Sequence, residues 1–332
     1  MGGNRRSPRS TCRWAPTRLP APPLSALPYP VRVSSETPSP PHNRVSALTL
    51  LVTGLGLIAG AALWLFLIGQ ADIRYSADHD ETVPMWHRWV PPLVGILLVR
   101  LIPATPHAGP REPLAGRATG RGAPCVEALA LTGLAVLFAV ALRGLGGGEP
   151  AHTLLKLSLL LAVPLVLFWW RRGSGAAWTV GRQKPELRNR WAPAIPVAAW
   201  FALSYTGPFA LPYSDAATTM DALTLVLTMT VVFLVNSLLE EVFYRRWLQT
   251  RWEAVLGAWP AIVLTSLLWA AWHVGIQGEG DLSLDLASAF VNQGVIGLFL
   301  GYLWSRYRRM WPILVVHGLI NSATLLLGLL LP

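Results

Sequence analysis

The chain has 332 residues, of which 53% are hydrophobic and only 13% are charged, with a mean hydropathy of +0.44. Soluble domains carry about 25% charge, so the composition excludes an ordinary soluble protein. A membrane β-barrel would show segments of roughly ten residues of alternating polarity, and the sequence has none. The net charge of +10 does not call for nucleic acid as a partner, because the basic residues (25 Arg, 2 Lys) cluster between apolar runs rather than along one polar face.

Residues 1–44 are rich in Pro, Ser and Arg and lack apolar periodicity. They are expected to form a disordered basic arm that could attach to anionic membrane lipid. No apolar core follows the early arginines, so the arm does not read as a secretory signal peptide. Cys12 lies in this arm and Cys125 at a span boundary, which argues against a structural disulfide.

Nine apolar spans follow, at about 47–69, 90–104, 125–145, 153–170, 192–211, 222–241, 260–275, 286–304 and 312–331. A bilayer crossing needs roughly 17–25 such residues, and 90–104 and 260–275 are short by that measure. The predicted fold is an all-α, polytopic transmembrane helix bundle of eight to nine spans. Residues 45–190 would be accessory helices and 191–332 the functional core. The links alternate in charge. The arm and 105–124, 171–191, 242–259 and 305–311 are basic, whereas 70–89 and 276–285 carry Asp72, Asp78, Asp80, Glu81, Glu279, Asp281 and Asp285. The positive-inside rule then gives an integral, multi-pass protein of the cell membrane with a cytoplasmic N-terminus and, for nine spans, an outer C-terminus. Arg143, near the outer end of its span, breaks the pattern. Trp86, Trp89, Trp169, Trp170, Trp191, Trp304 and Trp311 mark the interfaces.

The informative segment begins at Asp221. Neither Gly nor Pro occurs between Asp221 and Leu256, so one helix of about 50 Å could run throughout, longer than a bilayer core of about 30 Å. Glu240 and Glu241 sit within it, and ionisable groups at membrane depth mark function by default. Glu241 and Arg245 are one turn apart on one face and can pair. Glu240 points about 100° away, which leaves it as the better general base. His273 ends Trp269-Ala-Ala-Trp-His273, and Trp269 can pack on its ring. His317 and Asn321 share a face of the last span, and Gly318 leaves room for a close neighbour. Both side chains can donate to a developing oxyanion, or act as polar glue between helices.

Jointly these residues resemble a family. Glu240-Glu241-Val-Phe-Tyr-Arg245 fits E-E-x-x-x-R, Trp269 to His273 is similar to F-x-x-x-H, and His317-Gly-Leu-Ile-Asn321 fits H-x-x-x-N. In this order on late spans they look like the CPBP intramembrane proteases, which include the type II CAAX prenyl endopeptidases and the bacteriocin-processing or immunity (Abi) proteins. The resemblance covers about 222–325, and Trp269 replaces the usual Phe. It implies that Glu240 and His273 activate a water, that His317 and Asn321 form the oxyanion hole, and that Arg245 orients Glu241 or meets a substrate carboxylate. The implied partners are membrane lipid and a peptide or protein substrate, lipidated in some members. No cofactor is expected. The alternative within the family is zinc, on Glu240, Glu241, His273 and His317, although no H-E-x-x-H is present. Two further readings use the same residues, a non-catalytic immunity protein and a proton-coupled transporter. One tension stands: with 242–259 as a cytoplasmic link, Glu240 lies near the inner face and His273 near the outer one.

Overall fold

A computed structural model of the chain describes residues 41–77, 81–102, 123–173, 191–214 and 216–330. Most of the arm, and the basic links 105–124 and 171–191 for the greater part, lie outside the described residues. Each of the nine apolar segments is a helix: α1 (Pro41–Leu67), α2 (Met85–Leu101), α3 (Ala123–Gly144), α4 (Ala151–Arg171), α5 (Ala194–Tyr205), α6 (Ala222–Leu256), α7 (Ala258–Gln277), α8 (Leu282–Tyr307) and α9 (Met310–Leu330). A two-stranded antiparallel ribbon, β1 (Asp72–Arg74) and β2 (Thr82–Pro84), pairs Ile73 with Val83 in the polar link before α2.

Seven of these helices, α1, α3, α4 and α6–α9, are long and apolar enough to cross a membrane. The count of eight to nine spans is therefore corrected downward. The 90–104 segment forms α2, which has 17 residues, carries Arg88 and Arg100, and contains Pro91 and Pro92. The 192–211 segment forms a helix of only 12 residues, α5, because Thr206-Gly207-Pro208 ends it. At 1.5 Å per residue neither reaches the roughly 30 Å of a hydrocarbon core.

The helices sort by burial. The most apolar stretch of α8 is 83% buried and that of α7 61%, while the corresponding stretch of α6 is only 11% buried. Thus α7 and α8 form the centre. The outer helices turn Leu48, Val52, Leu63 and Phe66 (α1), Val126, Leu129 and Val140 (α3), and Leu223, Val226 and Val231 (α6) to the surroundings. Apolar exposure on this scale has no place in a soluble monomer and fits contact with lipid. The centre packs through small residues: a Cβ added at Gly297 would lie 2.8 Å from Ser266 Cβ, and one at Gly301 would lie 2.9 Å from Ile262 Cγ2. Small residues four apart bring two membrane helices into close contact.

The longest helix is divided. Its first half faces outward, whereas Glu240, Glu241, Phe243, Tyr244, Arg245, Leu248 and Gln249 are buried. Asp221 caps its start, accepting from the backbone N–H groups of Leu223 and Thr224 at 3.0 Å each. Bonds from the Thr224 side chain and backbone hold the Asp221 carboxyl below the usual range, so this cap is present at neutral pH and is lost on acidification through its lowered value. The single helix that the Gly- and Pro-free stretch allows does run from Ala222 to Leu256, so most of the basic stretch 242–259 is helix. The chain turns only at Gly257, whose φ of 85° and ψ of 175° suit glycine alone. Glu240 lies seventeen residues before that turn and His273 sixteen after it, so in the α6–α7 hairpin they come level. The tension in depth thereby disappears. Arg143, the residue that broke the charge pattern, forms an ion pair with Asp285 at 3.3 Å. Asp285 also accepts the backbone N–H of Glu279 at 2.8 Å.

Candidate active site

Glu240 sits mid-way along α6, between two π-helical stretches, Phe233–Leu238 and Glu241–Gln249. Such wide turns recur at functional sites, and the Thr250 hydroxyl donating to Arg245 O at 3.2 Å follows the widened register. Glu240 is 1% exposed and Glu241 is fully buried. Buried carboxylates demand partners, and each of these has them.

Glu240 Oε1 accepts from Lys156 Nζ at 2.6 Å, and Oε2 accepts from Trp269 Nε1 at 2.6 Å. The expectation that Glu240 stands unpaired is therefore corrected. Lys156 comes from α4, where a third π-helical stretch, Lys156–Ala162, begins. Lys156 Nζ also donates to Asn236 Oδ1 at 2.7 Å and lies 4.5 Å from the centre of the Trp272 ring. Reasoning from one helix face could not find a partner 84 residues away. The signal was nevertheless there, since a lone lysine inside Leu154-Leu155-Lys156-Leu157-Ser158-Leu159 obeys the same intramembrane rule that singled out the acidic pair.

Glu241 and Arg245 do share a face: Arg245 Nε lies 3.4 Å from Glu241 Oε2. The other oxygen, Oε1, is 2.7 Å from His317 Nδ1, while His317 Nε2 lies 3.9 Å from Glu240 Oε2. One imidazole on α9 thus spans both carboxylates, and it donates from Nδ1 to Glu241. The Arg245 guanidinium is fully buried, its three nitrogens make no hydrogen bond, and it stacks 5.4 Å from the Trp269 ring centre.

His273 donates from Nδ1 to Trp269 O at 2.9 Å, which leaves Nε2 as its acceptor. Its ring meets the Trp269 edge at 4.9 Å and stacks on Trp272 at 3.9 Å. Trp269 therefore touches both His273 and Glu240. Asn321 Nδ2 donates to Ser237 Oγ at 3.1 Å, one turn before the acidic pair. Gly318 allows the close approach expected of it, since an added Cβ would meet Phe233 at 3.4 Å. The structure thus joins Glu240, Glu241, Arg245 and His317 directly, reaches His273 through Trp269, and sets Asn321 one helical turn along.

The donor set does not fit zinc on Glu240, Glu241, His273 and His317. Both Glu240 oxygens accept protein donors, one of them an ammonium that would repel a dication, and His317 Nδ1 is committed to Glu241. Among the described residues no group of three or more His, Cys, Asp or Glu side chains is placed to hold a metal ion. A groove of about 540 Å³ lies elsewhere, between α1 and α7, lined by Val45, Thr49, Thr53, Leu264 and Leu267 among others.

Residues 222–323 match the family described as type II CAAX prenyl endopeptidase Rce1-like. The match opens on the first residue of α6 and closes inside α9, so it contains all six motif residues and excludes Lys156. The resemblance to the CPBP and CAAX proteases is borne out over this segment. No curated protein and no solved structure matches the chain.

Proposed function

From an integral membrane chain whose segment 222–323 is Rce1-like, we propose an endopeptidase that hydrolyses a peptide bond of a membrane-associated or lipidated substrate with a water activated by glutamate. The observation that carries this reading is the convergence of three motifs, from α6, α7 and α9, on one buried acidic pair. The coarser statement, a CAAX-type intramembrane endopeptidase, follows from the family match.

The chemistry runs through Glu240. An ionised carboxylate has about four acceptor sites, so two remain beside those used by Lys156 and Trp269. A water between Glu240 and the acceptor Nε2 of His273 gives its proton to Glu240 as its oxygen bonds to the scissile carbonyl carbon. The carbonyl oxygen takes up the negative charge, and the second Nδ2 hydrogen of Asn321 and Nε2 of His317 are its donors. Donation from Nε2 needs a second ring proton beside the one on Nδ1, and Glu241, which stays a carboxylate when Glu240 takes the water's proton, supplies the countercharge. Collapse breaks the carbon–nitrogen bond, and Glu240 returns the proton to the leaving amine. Glu241 aligns His317, and Arg245 balances Glu241 while keeping free donors for a substrate carboxylate.

No step passes through a metal. Activity should accordingly survive chelators and dialysis. Substrate identification follows from comparing membrane proteomes of cells that express wild-type protein or Glu240→Gln. Peptides truncated with wild type and intact with the variant support the reading, and identical peptide sets refute it.

A further inference from the structure

Glu240 is gripped by a residue that the family match does not reach. In α4 the only charged side chain before Arg171 is Lys156. It is fully buried, as is its partner to within 2% of the side chain. The other basic groups around Glu240 have first claims elsewhere, and on α4 His152 pairs with Glu149 at 3.0 Å. On α6, Arg245 pairs with Glu241. On α9, His317 lies 2.7 Å from Glu241 but 3.9 Å from Glu240. On α7, His273 donates its Nδ1 hydrogen to a backbone carbonyl. Lys156 is thus the one cation within hydrogen-bond distance of Glu240 among the described residues.

We propose that Lys156 is a positioning residue for the reaction: its ammonium keeps Glu240 a carboxylate in a dry site and fixes Oε1, so that the remaining lone pairs face the water. A carboxylate without a partner in apolar surroundings takes up a proton instead, and a protonated Glu240 cannot accept one from water. Lys156 keeps its own proton throughout. Asn236 and the Trp272 face hold the ammonium from two further sides, which makes the contact a built one rather than a chance approach. The kinetic half of this inference rests on the hydrolytic reading; the electrostatic half does not.

The test uses full-length protein in liposomes with Lys156→Met, Lys156→Arg, Glu240→Gln and the double variant Lys156→Met/Glu240→Gln. Infrared difference spectra report whether Glu240 carries a proton, and cleavage of a membrane-anchored peptide gives kcat and KM. Lys156→Met should show a new protonated-carboxyl band, absent from wild type and from the double variant. Its kcat should fall about 100-fold or more with KM within about threefold, the range a mispoised general base gives. Lys156→Arg should recover activity to within about tenfold of wild type. A new band together with a wild-type protein that cleaves nothing supports the counter-ion role and overturns the hydrolytic reading alone. Lys156→Met without the band, or cleaving at the wild-type rate, overturns the proposal. If Lys156→Met does not fold, rescue of its fold by Glu240→Gln supports charge pairing, and failure of the double variant overturns it in favour of packing.

Discussion

Trp269 ties together more of the site than any other side chain. Its Nε1 donates to Glu240, its ring meets His273 at 4.9 Å and His317 at 5.4 Å, and the Arg245 guanidinium lies over it. Where the motif has Phe, an aromatic wall suffices; this chain adds an N–H aimed at the base. Trp269→Phe should keep the wall and lose the bond, costing about 1.5–3 kcal/mol for a hydrogen bond to a charged group. The expected result is cleavage reduced about tenfold or more, with the thermal transition lowered, measured side by side on purified protein. Unchanged kinetics would show the bond to be idle. At this scale the sequence was half legible. Glu241 and Arg245 could be paired from their spacing because both sit on one helix. Lys156 could not, because spacing reports neighbours along a helix and says nothing of which helix lies opposite. The same limit hid Ser237, the partner of Asn321.

At the scale of elements, the α6–α7 hairpin sets the depth of the chemistry. Gly257 has backbone angles open to glycine alone, and no atom lies near enough to oppose an added Cβ. Gly257→Ala therefore acts through backbone strain only, costing about 1–3 kcal/mol. A lowered unfolding temperature in detergent, with cleavage falling because Glu240 and Trp269 lose register, is the expected outcome. Full stability in this variant would remove Gly257 from the account. Apolar runs located all nine helices because hydrophobic length needs no tertiary knowledge. Which of them span did need it: α2 and α5 are short for reasons of Pro, Arg and Gly placement that a running average of hydropathy smooths away. The sixth apolar run stops near 241, while the single helix allowed by the Gly- and Pro-free stretch continues to Leu256. Arg245, Arg246 and Arg251 suggest an aqueous link, yet Arg245 is spent on Glu241 and Arg251 on Glu127 at 3.0 Å, inside the fold.

For the whole molecule, the apolar girdle on α1, α3 and the outer half of α6 places the polar site inside a lipid-facing shell. We propose the orientation given by the charge of the two links that flank α8, the basic 305–311 cytoplasmic and the acidic α7–α8 link outside. With Cys12 and Cys125 replaced, Glu279→Cys should react with a membrane-impermeant thiol reagent added outside cells, and Arg309→Cys should not. Labelling of both from one side would mean that α8 does not cross. The central claim is that Glu240 activates water for peptide hydrolysis, and heavy-oxygen water tests it most directly. Wild type in liposomes, given a membrane-anchored peptide identified as a substrate, should place one heavy oxygen in each new carboxyl terminus. A folded Glu240→Gln variant should yield no product above background. Cleavage by that variant at the wild-type rate would contradict the account.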